Sequence, residues 1–430
     1  MTSDRRFEQE LPGLLDQLAY GPLPDYRNEI VRQTAHTRQR PAWMHPERWL
    51  HVTPLTTRVA AAPRFPWRLI ALAALLILVL AVGATLVAGS RQRIPVPFGP
   101  AGNGAIAYAI NGDIYTADHA TGAVTAVSTG AVWDVKPVWA DDGTRFVFER
   151  MDSGGQFASS GSLIVMDPDG SHPTVITPTP LQALADYAFS PAGTEVMFTT
   201  GQKSARTLWL AKTDGSGVTE LTAARGAVSP AFLAPSGVEI VFATTASPAA
   251  GSAISGVNTL TGEVRSIVQA TPGLTIDWVR PSPDGTLLAY SAHTDNSVRN
   301  TYEVHVVGVD GTGDRQLPIP AGATFQDGPE WSNDSASIAI TRGFATRNQD
   351  IALAVVPADG SGTGTETIHG VTGCCDTTLG WSPDDLSILV LPEDLKGQPT
   401  QQLLWNPLTG ATARAPWQSN SPPSWQRTLR

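Results

Sequence analysis

A short apolar strand, a turn rich in Pro, Asp and Gly, and a second apolar strand recur seven times between Val138 and Trp425. Apolar and polar residues alternate within each copy, as in half-buried β-strands, and the turn residues separate the two strands. The copies are PVWADDGTRFVF at 137–148, YAFSPAGTEVMF at 187–198, PAFLAPSGVEIVF at 230–242, DWVRPSPDGTLLAY at 277–290, PEWSNDSASIAI at 329–340, LGWSPDDLSILV at 379–390 and a shortened PSWQR at 423–427. Their spacing of roughly 40 to 55 residues is typical of propeller blades. The pattern predicts an all-β fold, a seven-bladed β-propeller over residues 105–427.

The two ends of the propeller are predicted to share one blade. The first segment, GAIAYAINGDIYTADHATGAVTAVS at 104–128, starts with the second strand of a blade and lacks a first strand. The sequence PSW at 423–425 supplies that strand near the other end of the chain. Pairing of these N- and C-terminal strands closes the ring and removes the exposed sheet edges of an open propeller.

An uncharged apolar segment, LIALAALLILVLAVGATLVAG, covers residues 69–89. As a helix it is long enough to cross a bilayer core about 30 Å thick. The small residues around Val87 allow a cleaved signal peptide as the alternative, but the long polar leader favours a span that stays in the protein. We therefore expect a transmembrane helix over 67–90. Arginines are slightly more frequent before this segment than after it, which favours a cytoplasmic N-terminus and an extracytoplasmic propeller.

The tail of residues 1–66 carries two short amphipathic patterns and is predicted to be helical. Leucines at 11, 14, 15 and 18 follow a helical spacing, and Pro24 and Asp25 begin a second pattern. Such short helices bury little surface on their own, so they pack weakly on each other or bind a cytoplasmic partner. A solvated basic tail at the membrane surface is the alternative. The histidines of the tail match no metal-binding pattern, and no metal or cofactor is expected.

Charge divides the chain into two parts joined by a linker of 14 residues at 91–104. Residues 1–68 hold ten arginines and seven acidic residues, whereas the chain as a whole has a formal charge of −10. The remainder therefore carries −13, and the propeller is expected to repel nucleic acid. The Pro- and Gly-rich linker reaches at most about 50 Å, which holds the propeller near the bilayer.

The repeat resembles the TolB-like, WD40-like propeller repeat family, whose signature is a Trp-Ser-Pro-Asp-Gly turn before an apolar strand. The best matches are Trp381-Ser382-Pro383-Asp384 and Pro283-Asp284-Gly285, whereas the copy at 230–242 lacks both Trp and Asp. The resemblance covers about three quarters of the chain and implies the fold. It does not imply a function, because the fold hosts binding modules, scaffolds and enzymes.

Recurring residues of the repeat have structural interpretations. Large aromatics at the ends of the first strands are expected to fill the wedge between blades: Trp139, Trp278, Trp331, Trp381 and Trp425. The Asp-Gly pairs at 169–170, 214–215, 310–311 and 359–360 are explained by hairpin turns, and a calcium loop would need more ligands in a fixed order.

Loop length distinguishes the two faces of the predicted disc. The turns between the first and second strands and between the third and fourth strands are tight. The connections on the other face are long, at 149–162, 291–300, 341–350, 392–401, 177–186, 318–328 and 369–378. We call these the tight-turn face and the long-loop face. Binding residues usually lie on loops held by a rigid scaffold, so the long-loop face is the predicted working surface.

Candidate binding residues lie in or beside these loops. Acidic residues recur just before the first strands: Asp134, Asp186, Asp277, Asp327 and Asp376. Radial symmetry would place them as a ring that attracts cations, whereas the alternative is that each one caps its own loop. Trp133 and Phe325 are predicted loop aromatics that contact the ligand.

The two cysteines, Cys374 and Cys375, are adjacent in one long loop. An oxidising compartment permits a strained disulfide between them, and two partly buried thiols are the alternative. They are included among the candidate binding residues.

Two classes of function fit these observations. The first is a membrane-anchored, sensor-like module whose propeller binds a ligand or protein of the cell envelope and whose tail binds a cytoplasmic partner. This layout is similar to that of single-span anti-sigma regulators, although the tail lacks the zinc pattern of many of them. The alternative is a metal-dependent lyase or hydrolase, or an envelope scaffold that does not signal. No base, nucleophile and oxyanion donor can be assembled from the sequence, so binding is favoured over catalysis.

Overall fold

Seven antiparallel sheets make up the part of the chain that the structure, a computed structural model, describes. The described residues are 98–151, 160–177, 181–202, 205–247, 250–294, 301–344, 351–371, 378–391 and 401–429. They contain 29 strands and a 3-10 turn at Thr222–Ala224, and no α-helix. The predicted helical tail at 1–66 and the predicted span at 67–90 lie outside these residues. Within the described part, no helix is long and apolar enough to cross a membrane.

Each sheet forms one blade, numbered here from the N-terminal end of the propeller. Blade 1 contains β1 (Gly102–Ile110), β2 (Asp113–Asp118), β3 (Val124–Ser128) and the last strand, β29 (Ser424–Thr428). Blade 2 contains β4 (Trp133–Trp139), β5 (Phe146–Met151), β6 (Ser160–Met166), β7 (Thr174–Val175) and the extra short strand β8 (Leu181–Gln182). Blade 3 contains β9 (Tyr187–Phe189), β10 (Glu195–Thr200), β11 (Thr207–Lys212) and β12 (Val218–Glu220).

The other four blades repeat the same order of strands. Blade 4 contains β13 (Val228–Phe232), β14 (Glu239–Ser247), β15 (Gly251–Asn258) and β16 (Val264–Thr271). Blade 5 contains β17 (Leu274–Pro281), β18 (Leu287–Thr294), β19 (Thr301–Gly308) and β20 (Arg315–Gln316). Blade 6 contains β21 (Ala323–Trp331), β22 (Ser337–Phe344), β23 (Ile351–Pro357) and β24 (Thr365–Val371). Blade 7 contains β25 (Thr378–Trp381), β26 (Ile388–Leu391), β27 (Leu403–Trp405) and β28 (Thr412–Arg414).

Closure of the ring occurs in blade 1, as the sequence predicts. Strand β29 pairs antiparallel with β1, with Trp425 opposite Ile106 and Thr428 opposite Gly102. The first strand of blade 1 therefore comes from the C-terminal end of the chain, and the seven-bladed count is confirmed. Strand β1 begins at Gly102, inside the predicted linker 91–104.

The first strand of each blade is the inner strand, next to the central channel of a propeller. Its end residue is defined here as the one that pairs with the first core residue of the second strand. The end residues are Trp139, Phe189, Phe232, Pro281, Trp331, Trp381 and Trp425. This shared register makes positions in different blades comparable.

Apolar clusters fill the spaces between neighbouring blades. One cluster joins Val147 and Leu163 of blade 2 to Phe189 and Phe198 of blade 3. Trp139 and Trp331 are buried in two further clusters, as the wedge interpretation predicts. Burial of this apolar surface, at roughly 25 cal/mol per Å², is the main source of stability for such a ring.

The hairpins at the ends of the outer strands follow turn chemistry. Asp310 Oδ1 accepts hydrogen bonds from the hydroxyl (2.7 Å) and the amide (2.9 Å) of Thr312, and Gly311 takes a φ of 83°. These hydrogen bonds lower the pKa of Asp310. Asp214 and Asp359 bond the amides of Ser216 and Ser361 in the same way. The carboxylates are used within their own turns, in agreement with the sequence interpretation.

Several segments predicted as long loops contain strand. Strand β21 starts at Ala323, within the predicted loop 318–328, and β24 runs to Val371, within 369–378. The second strands also extend further, with β18 reaching Thr294. Polar residues at the ends of these strands resemble loop residues in sequence, although their backbones remain paired.

Candidate functional site

Both ends of the propeller lie on the tight-turn face. The first residue of β1 pairs with the last residue of β29, so the chain enters and leaves at the same edge. The Ala101 amide donates to the Pro383 carbonyl at 2.7 Å, and the Asp384 amide donates to Asn103 Oδ1 at 3.2 Å. The described part of the chain therefore begins on the side of the tight turns of blade 7.

Tight turns of neighbouring blades are bonded to one another on this face. The Asp385 carboxylate accepts hydrogen bonds from the amide and side chain of Asn333 (2.7 and 2.8 Å) and from the Asp334 amide (3.0 Å). The Asp284 amide donates to Ser335 Oγ at 3.1 Å. These bonds link blades 5, 6 and 7, and they use polar groups that would otherwise be available to a ligand.

Arg427 of β29 is the centre of this network. Its side chain is buried, donating to Asn333 Oδ1 at 2.6 Å and to the Gly99 carbonyl at 2.5 Å. Burial lowers the pKa of Arg427, and the charges of Asp141 and Asp385 oppose that effect. One side chain thus bonds the closing strand to blade 6 and to the residues before β1, and its charge interacts with acids of blades 7 and 2.

Asp141, in the tight turn of blade 2, gives this region a predictable pH dependence. Burial raises its pKa to about 6, although Arg427 acts in the opposite direction. The folded state then holds a proton that the unfolded chain has released, so this group contributes less stability as the pH rises from about 4 to above 6. Asp141→Asn removes that contribution. We expect the stability of the variant, relative to the wild type, to increase with pH across this window in urea denaturation experiments. A difference that is independent of pH would contradict the assignment.

Among the predicted site acids that the structure describes, Asp134 is the most buried. Its side chain is 1% exposed and accepts two hydrogen bonds from Arg150, both at 2.8 Å, and one from Ser128 Oγ at 2.5 Å. The guanidinium and carboxylate form a bidentate pair, the strongest common form of ion pair. Asp134 therefore holds strands β4 and β5 together and presents little charge to the channel.

Asp186 and Asp277 are more exposed, and each has a basic partner in its own blade. Asp186, 37% exposed, lies 3.1 Å from Arg206 Nη1. Asp277 Oδ2 lies 2.7 Å from Nδ1 of His293, whose ring is almost buried. Both acids keep part of their carboxylate surface accessible at the long-loop ends of their blades.

Asp327 differs from the other acids because its Oδ1 accepts a hydrogen bond from the amide of the next residue, Gly328, at 2.7 Å. This contact is the loop cap that the sequence offers as the alternative to an acidic ring. Asp376, Cys374 and Cys375 lie outside the described residues.

The acids of the inner strands do not share one register position. Asp134 pairs with Arg150, whereas in blade 6 the equivalent arginine, Arg342, pairs with Gln326, one residue before Asp327. Asp277 is the unpaired residue of a β-bulge between Ile276 and Trp278. A shift of one residue turns a side chain to the other face of a strand. The acids therefore do not form the symmetric ring that their recurrence in the sequence suggests.

Both predicted loop aromatics lie in inner strands. Trp133 is the first residue of β4 and packs against Gly112. Phe325 lies in β21 and meets Tyr302 of blade 5 edge to face, with ring centroids 6.4 Å apart. Strand pairing extends past the repeated phrase toward the long-loop face, which explains why these aromatics are not in loops.

Phe325 belongs to a row of side chains between blades 5 and 6. The Tyr302 ring lies 4.6 Å from the His293 ring, and His293 bonds Asp277. Aromatic, imidazole and carboxylate groups from β21, β19, β18 and β17 are thus brought together at the long-loop end of these blades.

Trp278 does not fill the wedge between blades. Pro281 occupies the end position of its strand, and Trp278 lies three residues earlier with 37% of its surface exposed. The Arg280 guanidinium carbon lies 5.1 Å from the centre of its ring. Trp278 is not among the site residues predicted from the sequence. The signal was its distance from the turn, because Trp331 and Trp381 directly precede the turn serine and Trp278 does not.

Arg280 and Glu330 are two further side chains that the sequence did not mark as site residues. They occupy equivalent positions, one residue before the end residues of blades 5 and 6, and Arg280 Nε lies 3.1 Å from Glu330 Oε1. No group of three or more His, Cys, Asp or Glu side chains suited to a metal ion occurs among the described residues.

Comparison with known proteins gives likeness of fold only. No family profile and no curated protein matches the sequence. The oligogalacturonate lyase of Vibrio parahaemolyticus matches with a TM-score of 0.54 and 11% identity over 73% of this chain and 86% of its own. An oligogalacturonate lyase in complex with manganese has a TM-score of 0.53 and 13% identity, covering 74% and 85%. TolB from Acinetobacter baumannii matches with a TM-score of 0.47 and 13% identity, covering 75% and 81%. At these identities the chain is similar to the first two structures in fold, and it is a seven-bladed β-propeller.

Proposed function

We propose that this chain is a membrane-anchored, extracytoplasmic binding protein with a sensor-like layout. In this proposal the propeller binds an envelope ligand or protein on its long-loop face. The apolar segment at 69–89 anchors it, and residues 1–66 bind a cytoplasmic protein to which the binding state is passed.

The proposal rests on a difference between the two faces of the propeller in how their polar side chains are used. On the tight-turn face, Asp385 and Arg427 are used in bonds between blades, and the chain itself enters there. At the long-loop end, Asp186, just before β9, and Asp277 and Phe325, in β17 and β21, are partly exposed. Accessible polar and aromatic groups on a rigid scaffold favour binding at that end.

Photo-cross-linking in intact cells tests which face binds. Val132, just before β4 on the long-loop face, is 43% exposed, and Leu260, in a hairpin of the tight-turn face, is 81% exposed. A photoreactive residue replaces one or the other in the full-length protein. We expect capture of an envelope component from position 132 and not from position 260, despite the greater exposure of Leu260. Capture from position 260 alone would contradict the proposal.

A further inference from the structure

The wall of the central channel is uneven around the ring. One position of each inner strand, directly before the end residue, is partly exposed and in several blades lies between two buried residues. Val138, Ala188 and Ala231 pack in part against the apolar clusters between blades. Because inner strands border the channel, we infer that the exposed part of the side chain at this position faces it. These residues are Val138, Ala188, Ala231, Arg280, Glu330, Gly380 and Ser424. Five of the seven are small or apolar, and the two long charged side chains are neighbours in blades 5 and 6.

Space is available beside this charged pair. Gly380 follows Glu330 around the ring, and a Cβ added to it would meet no atom within 4 Å. Ser424 is the next residue around the wall. A ligand that enters the channel therefore meets small residues on one side and the side chains of blades 5 and 6 on the other.

The Arg280–Glu330 pair has unused hydrogen-bonding capacity. Arg280 Nε donates to Glu330 Oε1 at 3.1 Å, and Nη1 donates to Ser229 Oγ at 2.8 Å. Within the described part of the chain, Arg280 Nη2 and Glu330 Oε2 make no hydrogen bond. The side chains are 28% and 34% exposed, respectively. A donor and an acceptor held side by side by two strands are thus accessible to a ligand.

Trp278 supplies an apolar surface beside this pair. Its partly exposed ring lies next to the Arg280 guanidinium, on the same strand. Asp277 follows toward the long-loop end and is held by His293. Trp278 and Arg280 are fixed in a paired strand, so a ligand would not have to order a loop in order to bind them.

The geometry points to a sugar ring as the ligand of this channel wall, which deepens the proposed function and rests on it. The C–H face of a pyranose covers an indole ring, and two neighbouring hydroxyls can accept from a guanidinium and donate to a carboxylate. A cationic ligand would be repelled by Arg280, and an anionic one by Glu330 and by the net charge of the propeller. A neutral, hydroxylated ring satisfies all three side chains.

Saturation-transfer NMR and calorimetry on the full-length protein in phosphatidylcholine nanodiscs, free of sugar-based detergents, test this inference. The probes are maltotriose, cellotriose and chitotriose. We expect at least one to bind. Glu330→Gln should weaken binding about tenfold or more, as for loss of a hydrogen bond to a charged group, and Trp278→Ala should weaken it by a similar factor through loss of the apolar ring contact. The matched control is Lys136→Ala, three residues before the end residue of blade 2, as Trp278 is in blade 5. It should change the affinity less than twofold.

Several outcomes would overturn the inference: binding of none of the three probes, binding that is unchanged in both variants, or an equal loss in Lys136→Ala. Unchanged melting temperatures verify that the variants are folded. The two experiments together distinguish failure of the sugar inference from failure of the proposed function. If sugars do not bind while capture from position 132 persists, only the sugar inference is contradicted. If Trp278-dependent sugar binding persists while capture occurs from position 260 alone, only the partner-binding face is contradicted.

Discussion

Deletion of residues 423–430 is expected to abolish cooperative folding of the propeller. The deletion removes β29, the inner strand of blade 1, and leaves the edge of β1 exposed. It also removes Ser424 Oγ, which accepts from the Trp139 amide, and Gln426, which bonds Ala105 and Gly143. The loss is comparable to the whole folding free energy of a domain, about 5–15 kcal/mol. In calorimetry the full-length protein should show a cooperative transition that the deletion variant lacks.

A shorter deletion provides the control for this experiment. Removal of residues 429 and 430 alone keeps all strand pairing of β29, which ends at Thr428. This variant should melt within a few degrees of the wild type. Similar melting of the longer deletion would mean that the ring does not depend on its closing strand. Exposed edges also promote association, so light scattering should report aggregation of the longer deletion only.

Asp134→Ala is expected to destabilise the propeller by about 3 kcal/mol, because breaking a buried ion pair leaves the charge of the Arg150 guanidinium uncompensated. The removed carboxylate accepts both hydrogen bonds of the Arg150 fork and one from Ser128. Arg150 is itself partly exposed, which keeps the expected loss at the lower end for buried pairs. Urea denaturation of the full-length protein measures the change in the free energy of unfolding.

Asp186→Ala is the matched control for Asp134. It removes a carboxylate from the equivalent end of the next blade, but this pair with Arg206 is more exposed. Exposed pairs contribute about 0–1 kcal/mol, so the variant should stay close to the wild type. Equal losses in the two variants would contradict the assignment of Asp134 as a structural acid and of Asp186 as an accessible one.

The fold was predictable because the same strand–turn–strand pattern recurs along the chain. The alternation of apolar residues and a turn between the first two strands recur around the ring, so errors in a single strand do not change the count. Closure of the ring was predictable from its two ends. The first blade lacks a first strand before residue 104, and the sequence at 423–425 provides one. Trp139 and Trp331 occupy the wedge for which their type and position suit them.

The site was less predictable because it depends on departures from the repeat. A β-bulge at Asp277 changes the direction of neighbouring side chains, and sequence spacing does not reveal a bulge. Acids that recur at similar distances from the turn therefore point in different directions. Arg280 and Glu330 could be recognised as site residues only from the pairing register of the strands, which identifies the positions that line the channel. Their charge at a position where other blades have small residues is a signal that an alignment of the repeats would show.

Membrane insertion, the tail partner and the state of Cys374 and Cys375 remain predictions from sequence. They concern residues outside the described part of the chain. Their physical basis is the uncharged length of 69–89 and the adjacency of the two thiols.

Cross-linking mass spectrometry of the full-length protein in intact cells tests the central claim most directly, because it maps partners onto both sides of the predicted span at once. The account predicts a cytoplasmic protein attached to residues 1–66 and an envelope component attached to the propeller on its long-loop face. The same partner on both segments, or propeller cross-links confined to the tight-turn hairpins at 259–262 and 407–410, would contradict it.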